Sequence, residues 1–538
     1  MTWLAETAML AHGWRRWLLL IVAGAISALS VPPLFILPAL FVGMPIWVWS
    51  LDGAEKSRGW RWIVGPAFRI GLAFGMGYFT VALHWIGVAF FIEGGVMLVL
   101  MPFAVLGLAA ILSIFWGLGS ALAHYFWSDS PWRVVTLAVF VAAAEWARGH
   151  FFSGFPFDLF GYALTANDDM AQIASVIGIY GMTLVAVLLA FTPALIWPAD
   201  GRTLARRLVP FFSAIVLIVG ELGYGHYRLA NTPVTPRTDM HMRLIQPVAT
   251  EHENWATAKP DQIIQKMIDL SQTKTNPADP GLAGITQLVW PESSLPFFFS
   301  DYPDGLARIG HMLPKTTTLL TGAPRDDFTP GDASSEPKPG YNALLAINNS
   351  GEVIASYDKS HLVPFGEYLP FPQFFALFGL TQFVPGANGW APGDGRRLVT
   401  AAGTPPFLAL ICYEAVFSGD LGDEISKAQF ILNITNDSWF DGSIGPAQHA
   451  NHARIRAIEE GLPMVRAANS GLTFLTDPLG RITASITPGE VALLDVVPDN
   501  RLDGTIFSKL RYWPFGIAEL AGLAVAVLRR RRHRRLKA

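Results

Sequence analysis

The stretch Phe407-Leu408-Ala409-Leu410-Ile411-Cys412-Tyr413-Glu414 is the most informative part of this 538-residue chain. Its apolar run, Phe407 to Cys412, is typical of a buried β-strand, and the run ends at the single cysteine of the sequence. A lone cysteine at such a position is usually a small buried hydrophobic residue. Cys412 therefore becomes a candidate nucleophile only if other residues supply the chemistry that a thiol needs.

Similar short runs recur between residues 240 and 505, where charged and apolar residues mix as in a water-soluble domain. Helix-type spacing of apolar residues occurs between them, at Pro260 to Gln272 and Gln448 to Glu460. The pattern predicts an α/β domain of about 260 residues, near the upper end of single-domain size. The predicted strands are Met242 to Ile245, Ile285 to Trp290, Thr316 to Thr321, Ala343 to Ile347, Val353 to Tyr357, Phe407 to Cys412, Phe430 to Ile434, Met464 to Ala467 and Leu472 to Leu475.

Three of these strands end in polar residues, namely Glu292 after Trp290-Pro291, Lys359 after Tyr357-Asp358, and Cys412-Tyr413-Glu414. Ligand sites in α/β sheets gather where strands end, so these residues are candidates for one shared pocket. Each also has a simpler explanation: Glu292 could cap a helix, and Lys359 could be a solvated turn residue.

Glutamate, lysine and cysteine together supply what acyl transfer requires. A thiol with a pKa of about 8.5 is a poor nucleophile until its proton is removed or its thiolate is stabilised. Glu292 can act as the base, and Lys359 can place positive charge beside the thiolate. The same ammonium, together with the backbone N–H of Tyr413, can hold the oxyanion of a tetrahedral intermediate. The combination therefore predicts that Cys412 is a nucleophile.

The first part of the chain is almost continuously apolar, from about residue 15 to 230. Overall, 51% of the residues are hydrophobic and 15% are charged, and the mean hydropathy is +0.36, whereas soluble domains are about 25% charged. We expect a transmembrane bundle of about seven helices in residues 1–230, an extracytoplasmic catalytic domain in 240–505, and a C-terminal membrane helix with a basic cytoplasmic tail in 510–538. Stretches of about 20 apolar residues centre near Leu20, Val42, Met76, Leu106, Val139, Leu184 and Val216, and a shorter one runs from Trp513 to Leu528.

The distribution of basic residues predicts the orientation, because short loops rich in Lys and Arg stay in the cytoplasm. With the N-terminus inside, seven crossings place the catalytic domain outside. A cleavable signal peptide at the N-terminus would break this parity. The basic run Arg529 to Lys537 is more simply explained as an anchor on anionic lipid headgroups than as a nucleic-acid site. The cytoplasmic basic residues are Arg15, Arg16, Lys56, Arg58, Arg61, Arg133, Arg202, Arg206 and Arg207.

No metal site is predicted. His449 and His452 are the only histidine pair at ligand-like spacing, and neither a third ligand nor a second cysteine accompanies them. We therefore expect an enzyme that works without a metal or another cofactor.

The strand-end motifs are similar to those of the nitrilase, or carbon-nitrogen hydrolase, superfamily. With Asn433 to Phe440, Gly445 to His449 and Glu145 to Gly149, essentially the whole chain resembles the apolipoprotein N-acyltransferase family. The resemblance implies an αββα sandwich on a bundle of eight helices. It assigns roles to Glu292 as proton acceptor, Lys359 as the triad cation and Cys412 as the thioester-forming nucleophile, with support from Glu367, Tyr413 and Glu414 and a substrate loop that contains Trp255.

The same resemblance implies the reaction. An acyl chain passes from a phospholipid donor, through a Cys412 thioester, to the α-amino group of the diacylglyceryl-cysteine at the N-terminus of an apolipoprotein. The implied location is the inner membrane of a bacterium, with the catalytic domain on the periplasmic face. Three departures from the family pattern leave the shape of the substrate loops open: Gln246-Pro247, Asp441 and Asn469-Ser470-Gly471.

Two other functions are compatible with parts of the sequence. A membrane-tethered amidase or nitrilase would use the same triad but would leave the apolar helices with no task beyond anchoring. A transporter or receptor with an inactive nitrilase-like domain would need intramembrane charges, for which Arg69, Glu145 and Glu221 are the candidates, each expected at a helix end.

A phenylalanine-rich segment, Leu369 to Pro385, is too apolar for an ordinary solvated loop. Its aromatic residues could belong to a core, or they could enter the outer leaflet of the membrane as interfacial segments do. The second explanation predicts a lipid entrance formed by Phe374, Phe375 and Phe378.

Overall fold

The computed structural model describes residues 1–55, 62–199, 201–249, 259–326, 340–377 and 389–537. The chain divides into two compact units. The helical unit comprises Met1–Thr232, Ser443–Gln448 and Thr505–Ala538, and the sandwich unit comprises Pro233–Gly442 and His449–Gly504.

The α-helices are numbered here in chain order. They are α1 (Thr2–Leu10), α2 (Gly13–Ser27), α3 (Pro38–Asp52), α4 (Pro66–Ala82), α5 (Ala89–Glu93), α6 (Val96–Tyr125), α7 (Arg133–His150), α8 (Asp168–Ala171), α9 (Ala174–Phe191), α10 (Leu204–Asn231), α11 (Pro260–Gln272), α12 (Pro303–Met312), α13 (Pro372–Ala376), α14 (Gly445–Glu460), α15 (Ile506–Leu510) and α16 (Trp513–Lys537).

The predicted apolar stretches are helical, and their centres fall in α2, α3, α4, α6, α7, α9, α10 and α16. Among the described residues, three helices are long and apolar enough to cross a membrane: Met97–Tyr125, Ala174–Leu195 and Leu204–Asn231. The pair Pro66–Ala82 and His84–Ile92, bent by 54°, makes a fourth if it counts as one span. Helices α2 and α3 have 15 residues each, fewer than the roughly 20 that span a bilayer. The apolar helical region is confirmed, but helix length does not establish about eight spans.

Glycines allow the helices of this unit to approach closely. A Cβ atom at Gly24 of α2 would lie 2.0 Å from the carbonyl oxygen of Phe74, and one at Gly77 of α4 would lie 1.9 Å from that of Ile21. Small residues permit such backbone approach in apolar helix pairs, where van der Waals packing contributes much of the stability. A side chain at either glycine would push α2 and α4 apart.

The three charged residues that were candidates for a transport path, Arg69, Glu145 and Glu221, lie in different surroundings. Glu145 of α7 forms an ion pair with Arg148 at 2.9 Å, and both side chains are fully buried. Arg148 also donates hydrogen bonds to the carbonyl oxygens of Phe155 and Phe157, so the pair fastens the end of α7 to the following loop. Arg69 lies in the first turn of α4, whereas Glu221 lies within α10 and not at its end.

The sandwich unit contains the β-strands. They are β1 (Met242–Gln246), β2 (Gln287–Val289), β3 (Thr318–Arg325), β4 (Tyr341–Ile347), β5 (Val353–Asp358), β6 (Leu398–Ala401), β7 (Thr404–Ile411), β8 (Phe430–Thr435), β9 (Met464–Ala468), β10 (Thr473–Thr476), β11 (Ile482–Ile486) and β12 (Ala492–Val496).

These strands form two sheets, each of six strands within the described residues, in the orders β12-β1-β2-β3-β4-β5 and β11-β10-β9-β8-β7-β6. Strands β1, β2 and β3 are parallel to one another, as are β7, β8 and β9. Strand β5 runs in the same direction as β3, because both are antiparallel to β4. The carboxyl ends of β2, β3 and β5 therefore lie at one edge of the first sheet.

The two sheets pack face to face, as expected for an αββα sandwich. Alternate side chains of each strand point between the sheets, where Leu244 and Leu344 of the first sheet belong to the same buried cluster as Ala409 and Leu432 of the second. Helices α11 and α12 cover the outer face of the first sheet, and α14 covers that of the second. This packing fixes the positions of the strand ends, which carry the polar residues.

Each of the nine predicted strands coincides with or overlaps an observed one, whereas β6, β11 and β12 were not predicted. Their side chains are mostly exposed or half-buried, so the apolar pattern that marks a buried strand is weak there. The observed strand β7 ends at Ile411, one residue before the predicted end at Cys412, because Cys412 leaves the extended conformation.

Candidate active site

Lys359 lies just after β5 and its ammonium is shared by two carboxylates. The Nζ atom is 2.8 Å from Oε1 of Glu367 and 3.4 Å from Oε1 of Glu292, and the side chain is 1% exposed. The amide of Asn342 donates hydrogen bonds to the same two oxygens, at 2.8 Å to Glu292 and 2.9 Å to Glu367. The structure thus brings together two of the three predicted triad residues and one predicted supporting residue.

Each carboxylate is also held at its second oxygen. Oε2 of Glu292 accepts the backbone N–H of Asn436 at 2.8 Å, and Oε2 of Glu367 accepts the backbone N–H of Val363 at 2.8 Å. A carboxylate held at both oxygens has few rotamers left, so its position is set before any ligand binds. Glu292 is 5% exposed and is therefore a fixed, largely dehydrated carboxylate.

Cys412 follows β7 in a backbone conformation that is unusual for a residue with a side chain. Its φ is +49°, and Ser293, directly after Glu292, has a φ of +54°. Left-handed conformations of this kind cost about 1–3 kcal/mol and persist where surrounding contacts impose them. The polar segments after β2 and β7 therefore each contain one residue in the left-handed conformation.

The surroundings keep the thiol of Cys412 protonated. Burial raises the pKa of this thiol, and the negative charge of Glu292 raises it further, while Lys359 acts in the opposite direction. A hydrogen bond with the side chain of Thr435 also lowers it. The net effect is a pKa above the ordinary value of a cysteine, so Cys412 could act as a nucleophile only if a base took its proton as the bond formed.

The charge of Lys359 is stable in this environment. Burial by itself lowers the pKa of an ammonium, but the carboxylates of Glu367 and Glu292 outweigh burial and raise the pKa of Lys359. Lys359 is therefore a permanent cation near neutral pH, suited to stabilising negative charge and unsuited to accepting a proton.

Glu414 joins the strand ends that carry the lysine and the cysteine. Its Oε1 accepts hydrogen bonds from the hydroxyl of Tyr357 at 2.8 Å and from the hydroxyl of Ser360 at 2.8 Å. Its Oε2 accepts the backbone N–H of Ile411 at 2.8 Å. Because Ser360 is next to Lys359 and Ile411 is next to Cys412, Glu414 fixes the spacing between these two segments.

The remaining predicted site residues are Tyr413, Trp255 and the three phenylalanines of the predicted lipid entrance. The ring of Tyr413 packs against His361 and Phe417, with ring centroids 5.9 and 5.1 Å apart. Phe374 and Phe375 lie in α13. Trp255 and Phe378 lie outside the described residues.

Sequence analysis assigned no site role to a group of polar residues beside Cys412, although they lie within the family motifs Asn433 to Phe440 and Gly445 to His449. His449 of α14 lies between the carbonyl oxygen of Cys412 and the carboxylate of Asp437, at 3.0 and 2.9 Å. Asn436 and Asp437 directly follow β8, so the strand-end rule that identified Glu292 and Lys359 could have identified them too. Asn342 gave no such signal, because it lies near the start of β4 in an ordinary apolar strand.

The pair His449 and His452 is not part of a metal site in the described residues. No group of three or more His, Cys, Asp and Glu side chains there is placed to hold a metal ion. His449 instead uses its two ring nitrogens for contacts with protein oxygens.

The chain matches two family models. Residues 23–192 match the apolipoprotein N-acyltransferase N-terminal domain, and residues 249–499 match carbon-nitrogen hydrolase. Together these models cover most of the helical unit and nearly all of the sandwich unit.

Full-length relatives are also found. The apolipoprotein N-acyltransferase of Rhodopseudomonas palustris is 38% identical over 531 residues, which cover 98% of this chain and 98% of the relative. The apolipoprotein N-acyltransferase of Bradyrhizobium diazoefficiens is 40% identical over 531 residues, which cover 98% of this chain and 97% of the relative.

Solved structures align with about half of the chain. The amidase from Nesterenkonia sp. AN1 in complex with butyramide is 16% identical, with a TM-score of 0.34, and the alignment covers 52% of this chain and 98% of the amidase. A carbon-nitrogen hydrolase from Helicobacter pylori G27 is 13% identical, with a TM-score of 0.36, and the alignment covers 51% of this chain and 94% of that hydrolase.

We predict that Lys359→Met makes the thiol of Cys412 less reactive. Removing the cation takes away the charge that lowers the thiol pKa, so the alkylation of Cys412 should shift to higher pH. At a given pH, the rate with iodoacetamide should fall by roughly tenfold or more, since one pKa unit is a tenfold change in thiolate. The measurement is unambiguous because the chain has one cysteine.

Lys427→Met is the matched control, because this lysine is 67% exposed and pairs with Glu424 on the surface. Its alkylation profile should equal that of the parent protein. An unchanged profile for Lys359→Met would show that the ammonium does not act on the thiol.

Proposed function

Because the chain belongs to the apolipoprotein N-acyltransferase family, an enzyme family of lipoprotein biosynthesis, we propose that it N-acylates lipoproteins through a thioester on Cys412. The observation that carries this mechanism is the arrangement around the thiol. Cys412 is held protonated beside a fixed carboxylate, Glu292, and a permanent cation, Lys359. Covalent catalysis with this set divides one difficult acyl transfer into two easier ones.

In the first step the acyl donor is a phospholipid. Glu292 accepts the thiol proton while Sγ of Cys412 attacks the ester carbonyl carbon. The ammonium of Lys359 and the backbone N–H of Tyr413 hold the resulting oxyanion, an interaction typically worth about 3 kcal/mol per donor. The carbon–oxygen bond then breaks, Glu292 returns the proton to the leaving oxygen, and a lysophospholipid departs from the thioester.

In the second step the acceptor is the α-amino group of a diacylglyceryl-cysteine at the N-terminus of an apolipoprotein. The unprotonated amine attacks the thioester carbon, and Glu292 accepts the proton that the new amide nitrogen loses. The carbon–sulfur bond breaks, and the proton returns from Glu292 to Sγ of Cys412. The products are an N-acylated lipoprotein and the free enzyme, without a metal or cofactor in either step.

A membrane-tethered amidase would use the same three residues but would transfer the acyl group to water. The match of residues 23–192 to the N-terminal domain of the acyltransferase family supports the transferase. The amidase explanation assigns no role to that region beyond anchoring.

The direct test is mass spectrometry of the protein purified from membranes, compared with Cys412→Ala. We expect a hydroxylamine-labile acyl adduct on the parent protein and none on the variant. With labelled phospholipid and a diacylated peptide, the parent should transfer the label to the peptide amine, and Cys412→Ala should lower transfer by at least about 10³-fold. Release of free fatty acid with an unmodified peptide would favour the amidase instead.

The proposal includes a location: the inner membrane of a bacterium, about eight spans, and a sandwich unit on the periplasmic face. The bias of basic residues toward alternate loops supports this orientation, and the helical centres of all eight apolar stretches are compatible with it. The helices shorter than 18 residues would need flanking residues to complete their spans.

Single-cysteine labelling tests the orientation in a Cys412→Ser background. Ser350 is an exposed turn residue of the sandwich unit, and Arg532 is exposed near the C-terminus. A membrane-impermeant maleimide added to spheroplasts should label Ser350→Cys at once and Arg532→Cys only after lysis. Labelling of both, or the reverse order, would contradict the proposed topology.

A lipid entrance near α13 is the last part of the proposal. Phe371 and Leu377, which flank this helix, are 70% and 80% exposed. Large apolar side chains exposed at both ends of one short helix are a candidate interaction surface, and an acyl chain is a suitable ligand. Phe374 and Phe375 in the helix, and Phe378 after it, are proposed to belong to the same entrance.

Replacing Phe371 and Leu377 with Ser should slow acylation of Cys412 from phospholipid vesicles by roughly tenfold, because apolar contact with the lipid is lost. Acylation by a short-chain, water-soluble thioester should be unchanged. Val491→Ser, at an apolar residue that is 52% exposed, is the control and should leave both rates unchanged. Equal rates from vesicles in the double variant and the parent would remove the entrance from the proposal.

A further inference from the structure

A chain of hydrogen bonds connects the nucleophile to a buried arginine. Nε2 of His449 lies 3.0 Å from the carbonyl oxygen of Cys412, and Nδ1 lies 2.9 Å from Oδ1 of Asp437. Nη2 of Arg466 lies 2.7 Å from Oδ2 of Asp437 and 3.3 Å from Nδ1 of His449. Arg466 is fully buried, and Asp437 and His449 are 2% and 6% exposed. The mechanism described above assigns no task to this chain.

The acceptor at Nε2 fixes one hydrogen of the imidazole. A backbone carbonyl oxygen can only accept a hydrogen bond, so Nε2 must carry a hydrogen. Nδ1 faces the carboxylate of Asp437, which accepts, and the guanidinium of Arg466, which donates. His449 is therefore a donor to the carbonyl oxygen of Cys412, and Asp437 and Arg466 hold the opposite side of its ring.

The carboxyl group of Asp437 is ionised in this environment. Burial by itself raises its pKa, but the charge of Arg466 and the contacts with His449 outweigh burial and lower the pKa to about 2. The space around the carboxylate is also restricted, because a Cβ atom at Gly471 would lie 2.3 Å from Oδ2 of Asp437. The carboxylate thus has a fixed position from which it orients the imidazole.

The carbonyl group that His449 binds belongs to the peptide between Cys412 and Tyr413. A peptide group is planar, and its N–H points opposite to its C=O. Fixing the carbonyl oxygen of Cys412 therefore fixes the direction of the N–H of Tyr413, which is the proposed oxyanion donor. A hydrogen bond donated to the carbonyl oxygen also polarises the peptide, which makes its N–H a stronger donor.

We propose that His449 is a positioning residue that, held by Asp437 and Arg466, clamps the Cys412–Tyr413 peptide and aims its N–H at the developing oxyanion. This role rests on the proposed function, because it acts on the tetrahedral intermediate of acyl transfer. The clamp also explains how Cys412 keeps a left-handed backbone, since the bond from His449 holds the peptide that follows it. A donor fixed in advance needs no reorganisation when the charge forms.

The test compares two reactions of the same thiol. Acylation by a labelled phosphatidylethanolamine in detergent micelles passes through an oxyanion, whereas alkylation by iodoacetamide does not. His449→Leu should lower the maximal rate of single-turnover acylation by about 100-fold, the usual effect of losing one oxyanion donor. The phospholipid concentration at half-maximal rate should change little, and alkylation should stay within about fivefold of the parent because it develops no oxyanion.

His449→Gln should restore part of the acylation rate, because its amide can also donate a hydrogen bond to the carbonyl oxygen. Its rate should lie between those of His449→Leu and the parent. His452→Leu removes another buried imidazole from α14 three residues later and should keep acylation within about threefold, since the donor at Cys412 is retained. Thermal unfolding of each variant in detergent checks that it is folded.

Three outcomes would overturn the role of His449. Acylation by His449→Leu within threefold of the parent would show that the clamp is unnecessary. An equal fall in acylation and alkylation would show that His449 maintains the thiol and does not aim the N–H. An equal loss in His452→Leu would show a general effect on α14. A parent protein that is alkylated but forms no acyl adduct would instead reject the proposed function.

Discussion

The sharing of one buried ammonium by two carboxylates, one buried and one half-buried, is the constraint on which the site depends. Lys359 is 1% exposed, and a charge removed from water to that extent is tolerated only when it is paired and hydrogen-bonded. Removing one partner of such a pair typically costs roughly 3–5 kcal/mol, because a charge is left uncompensated. Glu292, Glu367 and Asn342 therefore fix the lysine and one another, and the carboxylates and the ammonium of the site are held in place together.

The sandwich architecture delivers these groups to one place. Glu292 and Lys359 follow strands of the first sheet, and Cys412 follows a strand of the second. The left-handed conformation of Cys412 lies between two contacts, the hydrogen bond of the Ile411 N–H to Glu414 and that of His449 to the carbonyl oxygen of Cys412. Local strain of this kind is common at functional sites, where rigid surroundings maintain it.

The same rule about buried charge holds in the helical unit. Glu145 and Arg148 are fully buried and paired, and the carbonyl oxygens of Phe155 and Phe157 bind the guanidinium. The pair thus fastens a helix end and needs no role in transport. Both units keep ionised side chains inside by satisfying their hydrogen bonds, although one unit is largely apolar and the other has the composition of a soluble domain.

The sequence by itself determined the local and compositional features. Alternating and continuous apolar runs marked nine strands, long apolar stretches marked the helices, and polar strand ends identified Glu292, Lys359 and Cys412 as candidates. Only the tertiary structure decided what surrounds them: that Asn342 links the two carboxylates, that Glu414 joins two strand ends, and that His449 contacts the carbonyl of Cys412. These partners lie from three to tens of residues apart in the chain, and most are brought together only when the two sheets pack and α14 covers one of them. Because a hydrogen bond between distant side chains leaves no periodic signal in the sequence, the sequence could indicate Cys412 as a candidate nucleophile but not the residues that contact it.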